Sequence, residues 1–173
     1  AVDCSQAAFS EWSQRAAEER ARMLEKTADL MEEEHQTLIG LAVREAGKVI
    51  PDALAEVREA VDFCRYYAAR CRHDFTQPTQ FNGPTGELNQ LTLHGRGPFA
   101  AISPWNFPLA IFTGQVAAAL AAGNTLLAKP AEQTPLIAQT AVALFHQAGI
   151  PKEVLLLLPG EGSTTGAALV SDP

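Results

Sequence analysis

No apolar run in this chain approaches the ~20 residues that a membrane-spanning helix needs. The opening Ala1-Val2-Asp3-Cys4 has neither the basic start nor the apolar core of a signal peptide. We therefore expect a cytoplasmic protein with no membrane partner. Basic residues are also scarce, with 13 Lys and Arg against 20 Asp and Glu, a net charge of -7 and a pI near 5.0. Binding nucleic acid through its phosphates requires clustered Lys and Arg, so a nucleic-acid partner is excluded for this segment. There are only three cysteines and four histidines. His35, His73, His94 and His146 are scattered, and the one metal-like spacing, Glu32 with His35, lies on a charged helical face that reads as solvated. We therefore assign no metal site. Internal repeats and low-complexity tracts are absent as well.

The chain has 173 residues, enough for one well-buried domain or for a piece of a larger one. It begins with Ala1 rather than Met, which leads us to expect a piece. Charge thins out along its length. After Arg96 the basic residues are Lys129 and Lys152, and the acidic ones are Glu132, Glu153, Glu161 and Asp172. A stretch so poor in charge should be largely buried, so Lys129 and Glu132 stand out as charges with a specific task.

Residues 1-73 read as helical. Asp3 can cap a first helix carrying Phe9 and Trp12, a second runs from about Glu18 to Leu38 and beyond until Gly47, and Pro51 opens a third. In the third, Leu54, Val57, Val61, Cys64, Ala68 and Cys71 recur at spacings of three and four, one helical face, with Glu56, Arg58, Glu59 and Arg65 on others. Cys64 and Cys71 therefore read as core thiols, and the helix should pack on a sheet. Residues 74-97 are turn-rich, and within them Glu87 to His94 alternates enough to suggest a half-exposed strand, an arm for pairing with another chain.

From residue 98 the chain alternates strand and helix, which specifies a parallel sheet. Strands are expected at Phe99 to Ser103, Thr125 to Ala128 and Val154 to Leu158, and helices at Leu109 to Ala122, ended by Gly123, and at Pro135 to Gln147, capped by Thr134. A last helix begins at Ala167. The fold class expected is α/β, N-terminal helices followed by part of a Rossmann-like parallel sheet with flanking helices.

Three turns at the carboxyl ends of these strands carry unusual residues, and ligands bind along that edge of a parallel sheet. Pro104 and Pro108 bracket Trp105, Asn106 and Phe107. Asn106 either donates to a developing oxyanion or merely satisfies local backbone groups. Lys129 and Glu132 either hydrogen-bond vicinal hydroxyls such as those of a ribose or form a mutual salt bridge. Gly160, Gly162 and Gly166 allow close approach to a helix start, but their spacing is one residue longer than the usual dinucleotide fingerprint.

The order and spacing of Ile102-Ser-Pro-Trp-Asn-Phe-Pro108, Gly123-Asn124, Lys129-Pro-Ala-Glu-Gln-Thr-Pro135, Ala148-Gly-Ile-Pro151 and Pro159-Gly160 through Gly166 resemble the cofactor-binding half of the NAD(P)-dependent aldehyde dehydrogenase superfamily. Val43-Arg-Glu-Ala-Gly-Lys48, the stretch from Glu56 to Ala68, and Pro108 to Gln115 resemble more narrowly the glutamate-semialdehyde (pyrroline-5-carboxylate) dehydrogenases, including that portion of bacterial proline utilization proteins. The resemblance covers essentially the whole chain.

It implies NAD as cofactor and a small aldehyde as substrate, oxidised to the acid, glutamate in the narrower case. Asn106 would donate its amide to the aldehyde oxygen. Ile102, Ser103, Pro104 and Trp105 would line the nicotinamide-ribose side of the cofactor. Lys129 and Glu132 would hold the adenosine ribose, Gly162 and Gly166 would border the adenine, and Phe107 would form an aromatic wall for the aldehyde. A homo-oligomer is implied for the parent enzyme. The family also needs a nucleophilic Cys and a Glu base in a Gly-rich context, which none of these segments matches, so the isolated chain is expected to be inactive. Two other readings remain open, a stand-alone dinucleotide-binding or assembly module and a dehydrogenase of another small aldehyde such as succinate semialdehyde.

Overall fold

A computed structural model describes residues 1–172 of the chain. Helices α1 (Val2–Gln14), α2 (Ala17–Glu33), α3 (His35–Ala46) and α4 (Ile50–Phe75) come first, and a hairpin of β1 (Thr79–Asn82) and β2 (Leu88–Leu91) follows. Then β3 (Pro98–Ile102), α5 (Ala110–Ala121), β4 (Thr125–Lys129), α6 (Pro135–Gln147) and β5 (Leu155–Leu157) alternate. A π-helical turn at Gly162–Gly166 leads into α7 (Ala167–Ser171). The fold is α/β, and β3, β4 and β5 form a parallel sheet in that order, with Ile102 opposite Lys129 and Ala128 opposite Leu157.

Helix α5 (AIFTGQVAAALA) explains how the layers fit. It is apolar on most of its surface because β3 and β4 cover one side and α4 the other, which leaves Ile111 and Gln115 exposed. Its small residues let α4 come close: a Cβ on Gly114 would lie 3.2 Å from the Phe63 ring. Helix α4 therefore packs against α2 and α5 and not on the sheet, which corrects the expectation from its stripe. Cys64 and Cys71 are buried as expected, whereas Leu54 is 43% exposed. Trp12, Leu24, Met31, Phe112, Leu120, Ile137, Phe145 and Leu155 fill the core, each contributing about 2 kcal/mol by leaving water. A buried Ser5–Thr125 hydroxyl pair, 2.9 Å apart, ties α1 to the start of β4.

Several local expectations fail for physical reasons. The second helix breaks at Glu34 (φ −91°, ψ 14°), with no Gly or Pro to signal it, and so becomes α2 and α3. Asp3 lies inside the first turn of α1, where its charge suits the helix dipole, and it makes no cap hydrogen bond. Thr79-Gln-Phe-Asn82, which reads as turn, pairs antiparallel with β2. Both faces of that hairpin are exposed, so neither strand carries a buried pattern. Strand β3 reads as buried, but as the edge strand it leaves Phe99 42% and Ile102 44% exposed.

Candidate functional site

The ladder that joins the three parallel strands continues past their ends. Ser103 N donates to Lys129 O at 3.1 Å, and Leu158 N donates to Ala128 O at 2.8 Å. The turns at 103–109, 130–134 and 158–166 therefore leave from neighbouring strand ends on one edge of the sheet. This is where an open parallel sheet presents backbone and side chains to ligands.

In the first turn, Ser103, Pro108 and Leu109 are buried, while Trp105 (55% exposed), Asn106 and Phe107 (41%) face outward. Among the described residues the Asn106 amide makes no hydrogen bond to protein, which leaves both of its N–H groups available to a ligand oxygen. The turn itself is held from beneath. Glu56, on α4, is fully buried, and its Oε1 accepts from Leu109 N at 2.7 Å and Ala110 N at 3.1 Å. These are orphan donors at the start of α5. The other carboxylate oxygen meets Lys48 Nζ at 2.8 Å, and the same ammonium lies 4.0 Å from the centroid of the Phe107 ring.

The second turn separates the two charges singled out in the sequence. Lys129 is buried at 3% exposure and donates to Pro130 O at 3.0 Å, so two of its three donors remain without a protein acceptor among the described residues. Glu132 is exposed, and its Oε2 accepts from Gly162 N at 3.1 Å, which bridges the second turn to the third. The mutual salt bridge left open by the sequence does not form, since Glu132 reaches backbone and Lys129 lies beneath. A groove of ≈ 370 Å³ runs between these turns, lined by Pro130, Ala131, Glu132, Pro159, Gly160 and Glu161.

The third turn approaches closely enough to require glycine. Gly160 has φ +155°, and a Cβ there would strike the Thr165 hydroxyl, whereas a Cβ on Gly166 would make only an ordinary 3.5 Å contact with Lys129 Cε. A π-helical turn at 162–166 stands where the sequence reads as a simple loop. Such single π turns are common at functional sites.

A second carboxylate cap supports this edge. Glu45, near the end of α3, accepts from Leu136 N and Ile137 N, both at 2.8 Å, at the start of α6. Thr134, expected to cap this helix, makes no cap bond, and its buried hydroxyl has no partner among the described residues. Sequence reasoning misses all three residues of this support, since it puts Glu56 off the apolar face and gives Glu45 and Lys48 no role. For Glu56 a signal exists, because it stands three residues after Ala53 and four before Ala60, on the apolar stripe itself. Glu45 and Lys48 enter only through the resemblance carried by Val43 to Lys48.

Other chemistry is not assembled. Among the described residues no group of His, Cys, Asp and Glu could hold a metal ion. Glu32 is paired with Arg65 at 2.7 Å, and its carboxyl lies below the usual range because of that hydrogen bond. Burial pushes the Cys64 thiol up to about 12. Burial also raises Cys71, whose thiol points at the carbonyls of Ala17 and Ala121. A thiol so disfavoured as thiolate is a poor nucleophile.

The fold and these turns agree with what the chain resembles. It matches the aldehyde dehydrogenase family over residues 1–173 and belongs to that family. It is 56% identical over 161 residues to the bifunctional protein PutA of Klebsiella aerogenes, covering 93% of this chain and 11% of that protein. With the 1-pyrroline-5-carboxylate dehydrogenase of Bacillus subtilis it shares 36% identity over 173 residues, all of this chain and 33% of the relative. Among solved structures, a bifunctional proline utilization A (PutA) protein superposes with a TM-score of 0.95 at 57% identity, covering 99% of this chain and 18% of that one. A 1-pyrroline-5-carboxylate dehydrogenase from Thermus with bound NAD does so with a TM-score of 0.93 at 39% identity, covering 99% and 33%. The chain thus spans 11% to 18% of these PutA proteins and 33% of these dehydrogenases. No helix among the described residues is long and apolar enough to cross a membrane.

Proposed function

We propose that this chain is the dinucleotide-binding part of an NAD-dependent aldehyde dehydrogenase acting on L-glutamate γ-semialdehyde in proline catabolism. The observation that carries the reading is the alignment of three turns on one sheet edge, with the outward Asn106 amide, the buried Lys129 and the Glu132 carboxylate on them. Support for the substrate comes from relatives named PutA and 1-pyrroline-5-carboxylate dehydrogenase.

The residues present fit NAD. The unengaged oxygen of Glu132, which lines the ≈ 370 Å³ groove, and the two free donors of Lys129, buried next to Pro130 at the groove's margin, are the chemistry that the vicinal hydroxyls of a ribose need. The Glu132 carboxylate would repel a ribose phosphate, which favours NAD over its phosphorylated form. Gly162 and Gly166 would border the adenine, and Ile102, Ser103, Pro104 and Trp105 would line the nicotinamide-ribose side. NAD, when bound, supplies the hydride acceptor. Asn106 donates an N–H to the aldehyde oxygen as negative charge develops on it, and Phe107 forms a wall beside the carbon chain.

None of Cys4, Cys64 and Cys71 acts as the nucleophile in this reading. The latter two are buried, and the first is an isolated exposed residue on α1. The isolated chain is therefore expected to form no NADH from the semialdehyde, and turnover by it would overturn this. In the full-length protein Asn106→Ala should lower kcat by about 10² to 10³ while leaving the KM for NAD within twofold. An unchanged kcat would remove Asn106 from the chemistry.

We also propose that the chain is organised as helices over 1–73, a linking segment over 74–97 and strand–helix repeats from 98. The hairpin in the linking segment would be an arm for assembly with a second copy, since Phe81, Leu88 and Leu91 are more than half exposed at 52%, 67% and 52%. Sedimentation of the full-length protein at several concentrations tests this, and an unchanged assembly after Phe81→Ser and Leu91→Ser would count against it.

A further inference from the structure

We propose that Lys48 is a positioning residue for the aldehyde, one that sets the orientation of Phe107 and, through it, of the Asn106 amide beside it. The inference rests on the functional reading above and deepens it. Lys48 is not merely the counter-ion of Glu56. Its ammonium is shared between the Glu56 carboxylate at 2.8 Å and the face of the Phe107 ring at 4.0 Å, and its side chain is only 11% exposed.

The geometry divides the labour at this turn. Glu56 fixes the backbone at its end, through Leu109 N and Ala110 N. Nothing in that bond determines how Phe107, two residues earlier and 41% exposed, directs its ring. A cation held in place by a buried carboxylate favours one direction, because the negative face of the ring is attracted to the ammonium. Backbone rotation that carries the ring off Lys48 also rotates the adjoining Asn106. The ring is therefore held directly by one ammonium supplied from the short link between α3 and α4, and the Asn106 amide is coupled to it through the peptide that Asn106 shares with Phe107. Lys48 itself does not contact the aldehyde in this arrangement.

A simple removal of Lys48 would leave Glu56 buried without its partner and could unfold the protein, so the decisive variant replaces both. In Lys48→Met/Glu56→Gln, the introduced amide carbonyl still accepts from Leu109 N and Ala110 N and no buried charge is stranded, so beyond the hold on Phe107 the loss is confined to the introduced amide N–H groups, which are left without an acceptor. In the full-length protein this double variant should melt no more than several degrees below the wild type, the cost of the unpartnered amide N–H groups, and keep its KM for NAD within twofold. Its kcat/KM for the semialdehyde should fall about tenfold. Lys48→Arg, which keeps a cation over the ring, should recover most of that loss. Wild-type kcat/KM in the double variant would reduce Lys48 to a counter-ion and overturn the proposal. A parallel loss of NAD affinity and melting temperature would also overturn it, because it would show a general structural role.

If the wild-type protein does not oxidise the semialdehyde, the functional reading fails and the positioning inference is judged by crystallography of the double variant. Phe107 should then leave its position and Asn106 should shift with it, while the amide carbonyl introduced by Glu56→Gln still caps α5. An unmoved Phe107 would sink the inference on structure alone.

Discussion

Two helices start at the carboxyl edge of the parallel sheet, α5 and α6, and each is capped by a glutamate from a distant helix rather than by a residue of its own turn. Glu56 caps α5 from a fully buried position and is neutralised by Lys48. Glu45 caps α6 from a partly exposed position and has no cation within salt-bridge distance among the described residues. The chemistry of capping is the same, a carboxylate accepting two backbone N–H groups at the positive end of a helix dipole. The burial differs, and burial decides the energetics. Water can replace Glu45, so its loss costs the net value of a cap. It cannot readily replace Glu56, so its loss strands two donors and an ammonium.

The two caps can be broken separately, and the larger effect is expected at Glu56. Glu56→Ala should lower stability by about 3–5 kcal/mol, the cost of breaking a buried pair, read from the urea midpoint. Glu45→Ala should cost about 1–2 kcal/mol by the same measurement. Equal losses for the two would show that burial is not what separates them.

A carboxylate–cation cluster away from the caps sharpens the contrast, because it is more open still. Arg72 on α4 holds Glu18 at 2.6 Å and Glu25 at 2.5 Å on α2, and hydrogen bonding to Arg72 lowers both carboxyls below the ordinary 4.5. A carboxyl lowered in the folded state contributes stability that is fully present above its unfolded pKa. That stability is lost as pH falls through the lowered value. Stability should therefore decline below about pH 4.5, and Arg72→Met should flatten the decline at low salt. An identical acid profile for the variant would remove these pairs from the explanation. Thr134→Val should change the unfolding free energy in urea by no more than about 0.5 kcal/mol, since the buried hydroxyl it removes has no partner. A loss above about 1 kcal/mol would restore Thr134 as the α6 cap in place of Glu45.

These caps also mark where the sequence is legible. The Cys64 and Cys71 stripe, α6 over 135–147 and the three parallel strands can be read because periodicity and flanking Gly and Pro are local signals. The turns bearing Asn106, Lys129 and Glu132 follow from where those strands end. The break at Glu34 is hidden because Glu32-Glu33-Glu34 is as compatible with a continuing helix as with a kink. Strand β1 is hidden because its one large apolar residue, Phe81, is exposed, so no alternation betrays it. Glu45 is hidden because the N–H groups it accepts from lie 91 and 92 residues away.

By itself the sequence determined the kinds of element, their order and the three turns that would carry a ligand, because hydrophobic period and turn chemistry act over a few residues. Tertiary structure decided which carboxylate caps which helix, that Lys129 is buried apart from Glu132, and that Lys48 sits over Phe107. Those arrangements come from satisfying buried donors and charges through space. The groups that do so are carried by helices α3 and α4 and the link between them, whose positions only the packed core supplies.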